Sequence, residues 1–269
     1  MSDLFHEEVT DEQLDQKFAV MALCPQHLFF VLTKRPERMR EYMRWVSNHH
    51  YEMPHDMPDR IGPIMNKMQG QPTDTPRIDA RWPLPNVWLG VTAEDQARAD
   101  ERIPILLDTP AAKRFVSIEP MLGAVDLRPY LPGPCQHPEC ENGCVPALGD
   151  FPGYRPCPWC ELGAEDRLDW VICGGESGPH ARPAHPDWFR GLRDQCAEAG
   201  VPFHFKQHGV WVGLKANDGE WLTNSETMIR LNEAGKRADE GWPMQRVGLR
   251  WAGHLLDGVE YRQFPEVGA

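Results

Sequence analysis

Charged residues follow several short apolar runs of this sequence, at the point where each run ends. Four of them are Lys34, Glu119, Glu176 and Lys206. Continuous apolar runs of this length are typical of β-strands covered on both faces, and parallel α/β folds bind ligands at the carboxyl ends of their strands. We therefore predict that these side chains converge on one pocket as acids, bases or ligand anchors with shifted pKa values. Any one of them is also explained as an ordinary polar residue after a strand.

A pair of glycines that could contact a ligand follows the apolar run at residues 168–173. Gly174, Gly175 and Ser177 surround Glu176 there. Glycines after a buried strand let the chain turn sharply and let a ligand approach the backbone, so we predict cofactor contacts at these three residues. A tight turn without a ligand explains the pair equally well, because the segment is neither G-x-G-x-x-G nor a Walker A motif. His185, just before the next helix, is predicted to cap or pack rather than to catalyse.

Five of the eight cysteines cluster in an insert at residues 129–167. They are Cys135, Cys140, Cys144, Cys157 and Cys160. Cys157-Pro-Trp-Cys160 has the spacing of a zinc knuckle, and either Cys135/Cys140 or Cys140/Cys144 forms the other ligand pair. The insert is poor in apolar residues, so a bound ion would supply the folding energy that a core does not. We predict a structural zinc; the alternatives are an iron–sulfur cluster and a disordered loop with spare thiols.

The elements that must position these residues alternate between strands and helices. Apolar runs predict strands at residues 27–33, 86–92, 113–119, 168–173 and 201–206. Helical periodicity predicts helices at 10–24, 35–50, from 94 onward with a break at Pro104, and 186–199. Residues 51–85 have no period and are predicted to be a long surface loop, while the chain after residue 206 gives little beyond an amphipathic stretch at 247–256. Such alternation implies parallel strands, in either a doubly wound sheet or a (β/α) barrel.

Composition restricts the classes of function. The chain has 269 residues, 41% of them hydrophobic, and a formal net charge of -12. That charge disfavours a broad nucleic-acid-binding surface. The basic stretch 34–44 could still form a local nucleic-acid-binding patch, but a solvated helix face explains it more simply. No apolar run reaches the roughly 18–20 residues that span a bilayer, and the acidic N-terminus is unlike a secretory signal. We expect a cytoplasmic protein without a membrane partner, in which Cys24, Cys173 and Cys196 are small buried apolar residues.

Several segments together resemble a known family. They are LTKRPERM, PNVWLGVTAEDQARADERIP, RFVSIEPMLG, LDWVICGGESGPHARP, HPDWFRGLRDQCAEAGVPFHFKQHG and AGHLLDG. They look like phage-associated proteins of unknown function that resemble radical S-adenosylmethionine enzymes. The resemblance runs over most of the chain from Leu4, apart from the insert and residues 51–85, and it implies a partial TIM-like barrel. On this basis residues 1–128 and 168–269 are expected to form one barrel interrupted by the insert.

The chain departs from that family at the cluster motif. Longer members carry a three-cysteine motif near their start, whereas C-x3-C-x2-C occurs nowhere here, and Cys140-x3-Cys144 supplies only its first pair. The resemblance therefore implies a shortened, mis-started or split member that does not hold the cluster or cleave S-adenosylmethionine alone, with a separate chain as a possible source of the missing strands.

Three functions follow as hypotheses. The chain is the C-terminal part of a radical-type enzyme whose strand-end residues shape the substrate pocket, a non-catalytic zinc-containing interaction protein, or a nucleic-acid-processing factor.

Overall fold

Five parallel strands form the main sheet of the protein. The computed structural model describes residues 3–48, 60–75, 82–132, 167–213, 228–238 and 240–266. The strands are β1 (Phe29–Thr33), β2 (Val87–Thr92), β3 (Lys113–Ile118), β4 (Trp170–Gly174) and β5 (Phe203–Gln207), in the order β1-β2-β3-β4-β5. All five lie where the apolar runs predict them.

The consecutive strand order bears on the two architectures that the sequence left open. A doubly wound sheet reverses its strand order at a switch point, and this sheet has no reversal. Strands and helices alternate along the chain, as in other α/β folds. Among the described residues β5 does not pair with β1, so no barrel is closed. The confirmed fold class is therefore α/β with a parallel sheet.

Helices connect the strands. They are α1 (Asp11–Leu23), α2 (Pro36–Asn48), α3 (Ile61–Met68), α4 (Gln96–Leu107), α5 (Pro186–Ala199) and the single turn α6 (Leu249–Ala252). Two expectations were wrong. Residues 51–85 are not all loop, because α3 lies within them and buries Ile61 and Met65. Pro104 does not break α4, because proline removes one intrahelical bond and the helix resumes at once, with the Asp108 amide donating to the Pro104 carbonyl.

The described chain divides into two compact units. Unit 1 comprises Met1–Thr92, Glu101–Phe115 and Val267–Ala269, and unit 2 comprises Ala93–Asp100 and Val116–Glu266. In unit 1, Thr10 caps α1 through a reciprocal capping box with Gln13. The buried Asp15 carboxylate accepts from the Tyr42 hydroxyl at 2.9 Å and from Arg60 Nε at 2.6 Å, which ties α1, α2 and the start of α3 together.

Unit 2 adds a small antiparallel sheet that the sequence did not reveal. Its strands are β6 (Trp211–Gly213), β7 (Met228–Leu231) and β8 (Trp242–Arg246), in the order β6-β8-β7. They pack Trp211, Leu231 and Met244 into a cluster of their own. A hairpin of β9 (Leu255–Leu256) and β10 (Val259–Glu260) follows.

The outer edge of β5 is covered by the chain that comes after this hairpin. The Phe205 amide donates to the Tyr261 carbonyl, and the Gln263 amide donates to the Phe203 carbonyl. The side chain of Gln263 also accepts from the Phe203 amide at 2.8 Å. This edge therefore has backbone partners from the same chain.

The cysteine-rich cluster lies outside the described residues. The zinc prediction for Cys135, Cys140, Cys144, Cys157 and Cys160 therefore stays a prediction.

Candidate functional site

An ion pair joins the ends of β3 and β5 in unit 2. Lys206 Nζ donates to Glu119 Oε2 at 2.9 Å, and Gln207 Nε2 donates to the other carboxylate oxygen at 3.2 Å. The lysine side chain is 56% exposed and the glutamate side chain 18% exposed. Two of the predicted residues, Glu119 and Lys206, are therefore brought together with the amine facing solvent.

The position of Glu119 follows from the strand that precedes it. β3 ends at Ile118, and the chain beyond it is held by backbone bonds from both sides. The Met121 amide donates to the Gly174 carbonyl at 2.9 Å and the Leu122 amide donates to the Glu94 carbonyl at 2.8 Å. The carboxylate is thus carried by a fixed backbone, which is the condition for a pre-organised polar group.

The glycine pair at the end of β4 has a packing reason. A Cβ on Gly175 would lie 2.0 Å from the His208 carbonyl oxygen, and one on Gly209 would lie 2.2 Å from the Glu176 carbonyl oxygen. Two loops of backbone therefore touch where only glycine fits. A Cβ on Gly174 would lie 3.1 Å from Glu119 Oε1, so Gly174 makes room for the Glu119 carboxylate. Ser177 is exposed beside them.

Glu176 is engaged by an arginine that sequence reasoning missed. Arg182 donates through Nε and Nη2 to the two carboxylate oxygens, both at 2.8 Å, and its backbone amide donates as well at 2.7 Å. Hydrogen bonds from Arg182 lower the pKa of Glu176, which keeps the carboxylate ionised. Because this fork closes a loop of unit 2 upon itself, the structure supplies Glu176 with a structural partner, and its catalytic role stays a prediction.

Lys34 belongs to unit 1, where the end of β1 is organised by Asp3. Asp3 Oδ1 accepts from Thr33 Oγ1 at 2.7 Å and from the Phe5 amide at 3.0 Å. Asp3 Oδ2 accepts from the Lys34 amide at 3.1 Å and from Arg35 Nη1 at 3.0 Å. Burial alone would raise the pKa of Asp3, but these four bonds outweigh it and the pKa lies below its usual value.

Three residues at these strand ends were not predicted from the sequence, each for a different reason. Gln207 is uncharged, Arg182 lies in a loop without periodicity, and Asp3 precedes its partners by some thirty residues of sequence. One available signal was the run Lys206-Gln207-His208, in which every residue can form hydrogen bonds. The prediction for His185 is confirmed, since its side chain caps α5.

The basic stretch 34–44 is largely neutralised within the chain. Arg35 pairs with Asp3, and Arg40 and Arg44 both pair with Asp108. Arg38 donates to the backbone carbonyls of the N-terminal turn. A cationic groove needs arginines free to meet phosphates, so this helix does not support the nucleic-acid reading.

Three cysteines without a disulfide lie within the described chain. Cys173 and Cys196 are buried, as predicted, whereas Cys24 is half-buried. Burial raises the pKa of Cys173 and raises that of Cys196 to about 12, so neither forms a thiolate at neutral pH. No group of three histidine, cysteine or acidic side chains suited to a metal occurs among the residues described. The absence of a cluster from this chain alone rests on the cysteine spacing in the sequence and stays a prediction.

The fold and these strand ends define an α/β protein with a polar cluster at the carboxyl ends of β3, β4 and β5. The chain belongs to the family described as protein of unknown function (DUF5131), whose model matches residues 1–265. Comparison with curated proteins and with solved structures gave no significant match. None of the helices within the described ranges has the length and apolar character needed to cross a bilayer.

Proposed function

We propose that this chain forms the substrate-pocket part of an enzyme resembling the radical S-adenosylmethionine class, and that the Glu119–Lys206 cluster of unit 2 is that pocket. The class, its partial barrel and its phage association rest on the resemblance of the quoted segments. The pocket rests on one observation, the ion pair between the ends of β3 and β5 with its exposed amine. The reaction itself is left open.

The geometry favours a ligand that carries both charges. Lys206 faces solvent and Gln207 stays bonded to Glu119, so opening the Glu119–Lys206 bond costs less than breaking a fully buried pair. A ligand with a carboxylate and an ammonium group can replace one internal pair by two intermolecular pairs, Lys206 with its carboxylate and Glu119 with its ammonium. Gln207 already donates to Glu119 and helps to hold that carboxylate in place. A zwitterionic amino-acid moiety is therefore the substrate class that we assign to the pocket.

Binding of simple amino acids tests this proposal. We expect L-alanine to bind at millimolar concentration in calorimetry, while L-alaninamide and N-acetyl-L-alanine, which each lack one charge, bind at least about tenfold more weakly, equivalent to about 1.4 kcal/mol. Lys206→Met and Glu119→Gln should reduce the affinity for L-alanine by a similar factor. Lys236→Met removes a comparable exposed lysine elsewhere and is the matched control. Equal binding of all three compounds, or equal binding by wild type and Lys206→Met, contradicts the proposal.

A zinc-containing interaction protein is the second candidate, because the spacing of the five clustered cysteines suits two ligand pairs. We expect elemental analysis of the purified chain to give about one zinc per chain and no iron, with the zinc lost in the variant Cys157→Ser/Cys160→Ser. Retention of zinc in that variant excludes this knuckle, and iron in the wild-type protein points to a cluster instead.

A further inference from the structure

The two outer edges of the five-stranded sheet differ in what lies beside them. The edge of β5 is paired with the chain that follows the β9–β10 hairpin, through backbone bonds of Phe203 and Phe205. At the edge of β1, the strand pairs with β2 on one side, and no strand of the described residues lies on its other side. Parallel sheets are normally covered on both faces and protected at their edges. The edge of β1 is therefore the exception in this sheet.

The backbone of β1 directs hydrogen-bonding groups toward this edge. The Phe29 amide donates to the Asn86 carbonyl at 2.8 Å, so the backbone groups of Phe29 point toward β2. Successive residues of a strand point their N–H and C=O groups to opposite sides. Val31 and Thr33 therefore also face β2, and the outer edge is lined by the backbone groups of Phe30 and Leu32.

The same two residues carry exposed apolar side chains. Phe30 is 46% exposed and Leu32 is 37% exposed, whereas Val31 and Thr33 on the other face are 4% and 2% exposed. The Phe30 ring contacts Trp88 edge-on, with the ring centroids 5.4 Å apart, yet nearly half of its surface stays accessible. Outward backbone groups and exposed apolar side chains on one edge strand are two separate features of a β-pairing surface.

The order of these residues is self-complementary about Val31. When two β1 strands pair antiparallel across a two-fold axis at Val31, Phe30 of each copy lies opposite Leu32 of the other. The outward amide and carbonyl groups of Phe30 and Leu32 can then bond to each other across the axis. Each phenyl ring meets a leucine side chain on the same face, which is a favourable cross-strand pair.

The charges that flank β1 permit this register. With Val31 on the axis, Lys34 lies opposite Leu28 of the second copy, and Arg35 lies opposite His27. Arg35 is in addition paired with Asp3 at 3.0 Å. Like charges directly opposite one another destabilise a strand pair, and no lysine or arginine of one copy faces a lysine or arginine of the other in this register.

We propose that the edge of β1 is an interface between two copies of this chain, in which the two β1 strands pair antiparallel about Val31. The interface lies apart from the Glu119–Lys206 pair and does not depend on the function proposed for it. Two chains with a net charge of -12 repel each other at a distance. Association should therefore strengthen as salt screens that repulsion.

Analytical ultracentrifugation of the full chain tests the proposal. We expect a concentration-dependent equilibrium of monomer and dimer, with tighter association in high salt than in low salt. Leu32→Lys places a charge on the pairing edge, and Leu32→Pro removes an outward N–H while leaving the bonds of β1 to β2. Each should weaken association at least about tenfold. Leu249→Lys changes a leucine that is 48% exposed on α6 and is the matched control, which should associate like the wild type.

Amide hydrogen exchange of the wild-type chain locates the interface without any variant. The Leu32 amide should exchange at least about tenfold more slowly at concentrations that give the dimer than in dilute solution. The Val31 amide, which faces β2, should change little between the two conditions.

Three results would overturn the proposal. They are a wild-type chain that is monomeric at every concentration and salt, a dimer that forms equally well in the folded Leu32→Lys and Leu32→Pro variants, and a dimer in which the Leu32 amide gains no protection. Thermal unfolding establishes that each variant is folded. A monomeric chain whose β1 edge is protected only by a different protein would assign this edge to that protein and would contradict the self-association.

Discussion

The ends of β1 and of β3 to β5 carry similar residues but use them differently. At the end of β1, four donors from Thr33, Phe5, Lys34 and Arg35 saturate the Asp3 carboxylate. At the end of β3, Glu119 receives two bonds from the described residues, both from side chains, and the lysine donor is largely exposed. A saturated carboxylate joins pieces of chain, while a half-occupied one beside a solvent-facing amine can change partners. Polar residues after a strand therefore have to be judged by the occupancy of their lone pairs.

The largest effect is expected from the glycine contact beneath the Glu119 pocket. Gly175→Ala places a methyl group 2.0 Å from the His208 carbonyl oxygen, so the two loops must separate. We expect the free energy of unfolding to fall by about 3 kcal/mol, as measured by urea denaturation. Gly191→Ala, on α5 with nothing within 4 Å of the added Cβ, is the control and should gain about 0.5–1 kcal/mol. Equal effects of the two changes would show that the close contact is not a constraint.

The second-largest loss of stability is expected at the end of β1, and it should exceed the loss at the Glu119–Lys206 pair. Asp3→Ala removes the acceptor of four hydrogen bonds, and we expect it to lower the free energy of unfolding by about 2–3 kcal/mol. Lys206→Met removes a pair whose lysine is exposed and leaves Gln207 bonded to Glu119, so it should change the free energy of unfolding by about 1 kcal/mol or less. Chemical denaturation of both variants measures the difference. A destabilisation by Lys206→Met as large as that by Asp3→Ala would make both strand ends structural joints.

Acid provides an independent check on Asp3. Its pKa is lower in the folded chain than the ordinary 3.8. The stabilisation from Asp3 is therefore complete above that value and is lost as the pH falls through the lower, folded pKa. Asp3→Ala should lose less free energy of unfolding between pH 5 and pH 3 than the wild type does. An identical loss in both proteins would mean that the bonds to Asp3 do not favour its ionised form.

The sequence predicted the repeating framework because its signals are local. Apolar runs such as residues 86–92 and the amphipathic α5, which begins at Pro186 and ends before Gly200, carry their structure within a few residues. The small sheet was missed because β6 has three residues and pairs with β8 across a long stretch of chain. Helix α3 was missed because it has eight residues and lies in a proline- and methionine-rich segment without a clear period.

The candidate site was predicted only in part, because the sequence shows local signals but not long-range contacts. Glu119 and Lys206 stand directly after apolar runs, so the rule for parallel strands selects them. The partners that decide their roles do not follow from position. Asp3 reaches Thr33 across thirty residues, and Arg182 reaches Glu176 through an irregular loop. Tertiary hydrogen bonding determines which charged residues are occupied, and it leaves no periodic trace in the sequence.

NMR of the lysine side chains tests the central claim most directly, because it observes both strand ends in one protein. With lysines labelled at Cε, L-alanine should shift the Lys206 signal to saturation and leave the Lys34 signal in place, since only the Glu119–Lys206 pair exchanges partners with a zwitterion. N-acetyl-L-alanine, which lacks the ammonium group, should shift Lys206 at least about tenfold less readily. A Lys206 signal that does not move with L-alanine, or that moves no more than Lys34, would contradict a ligand pocket at the ends of β3 to β5.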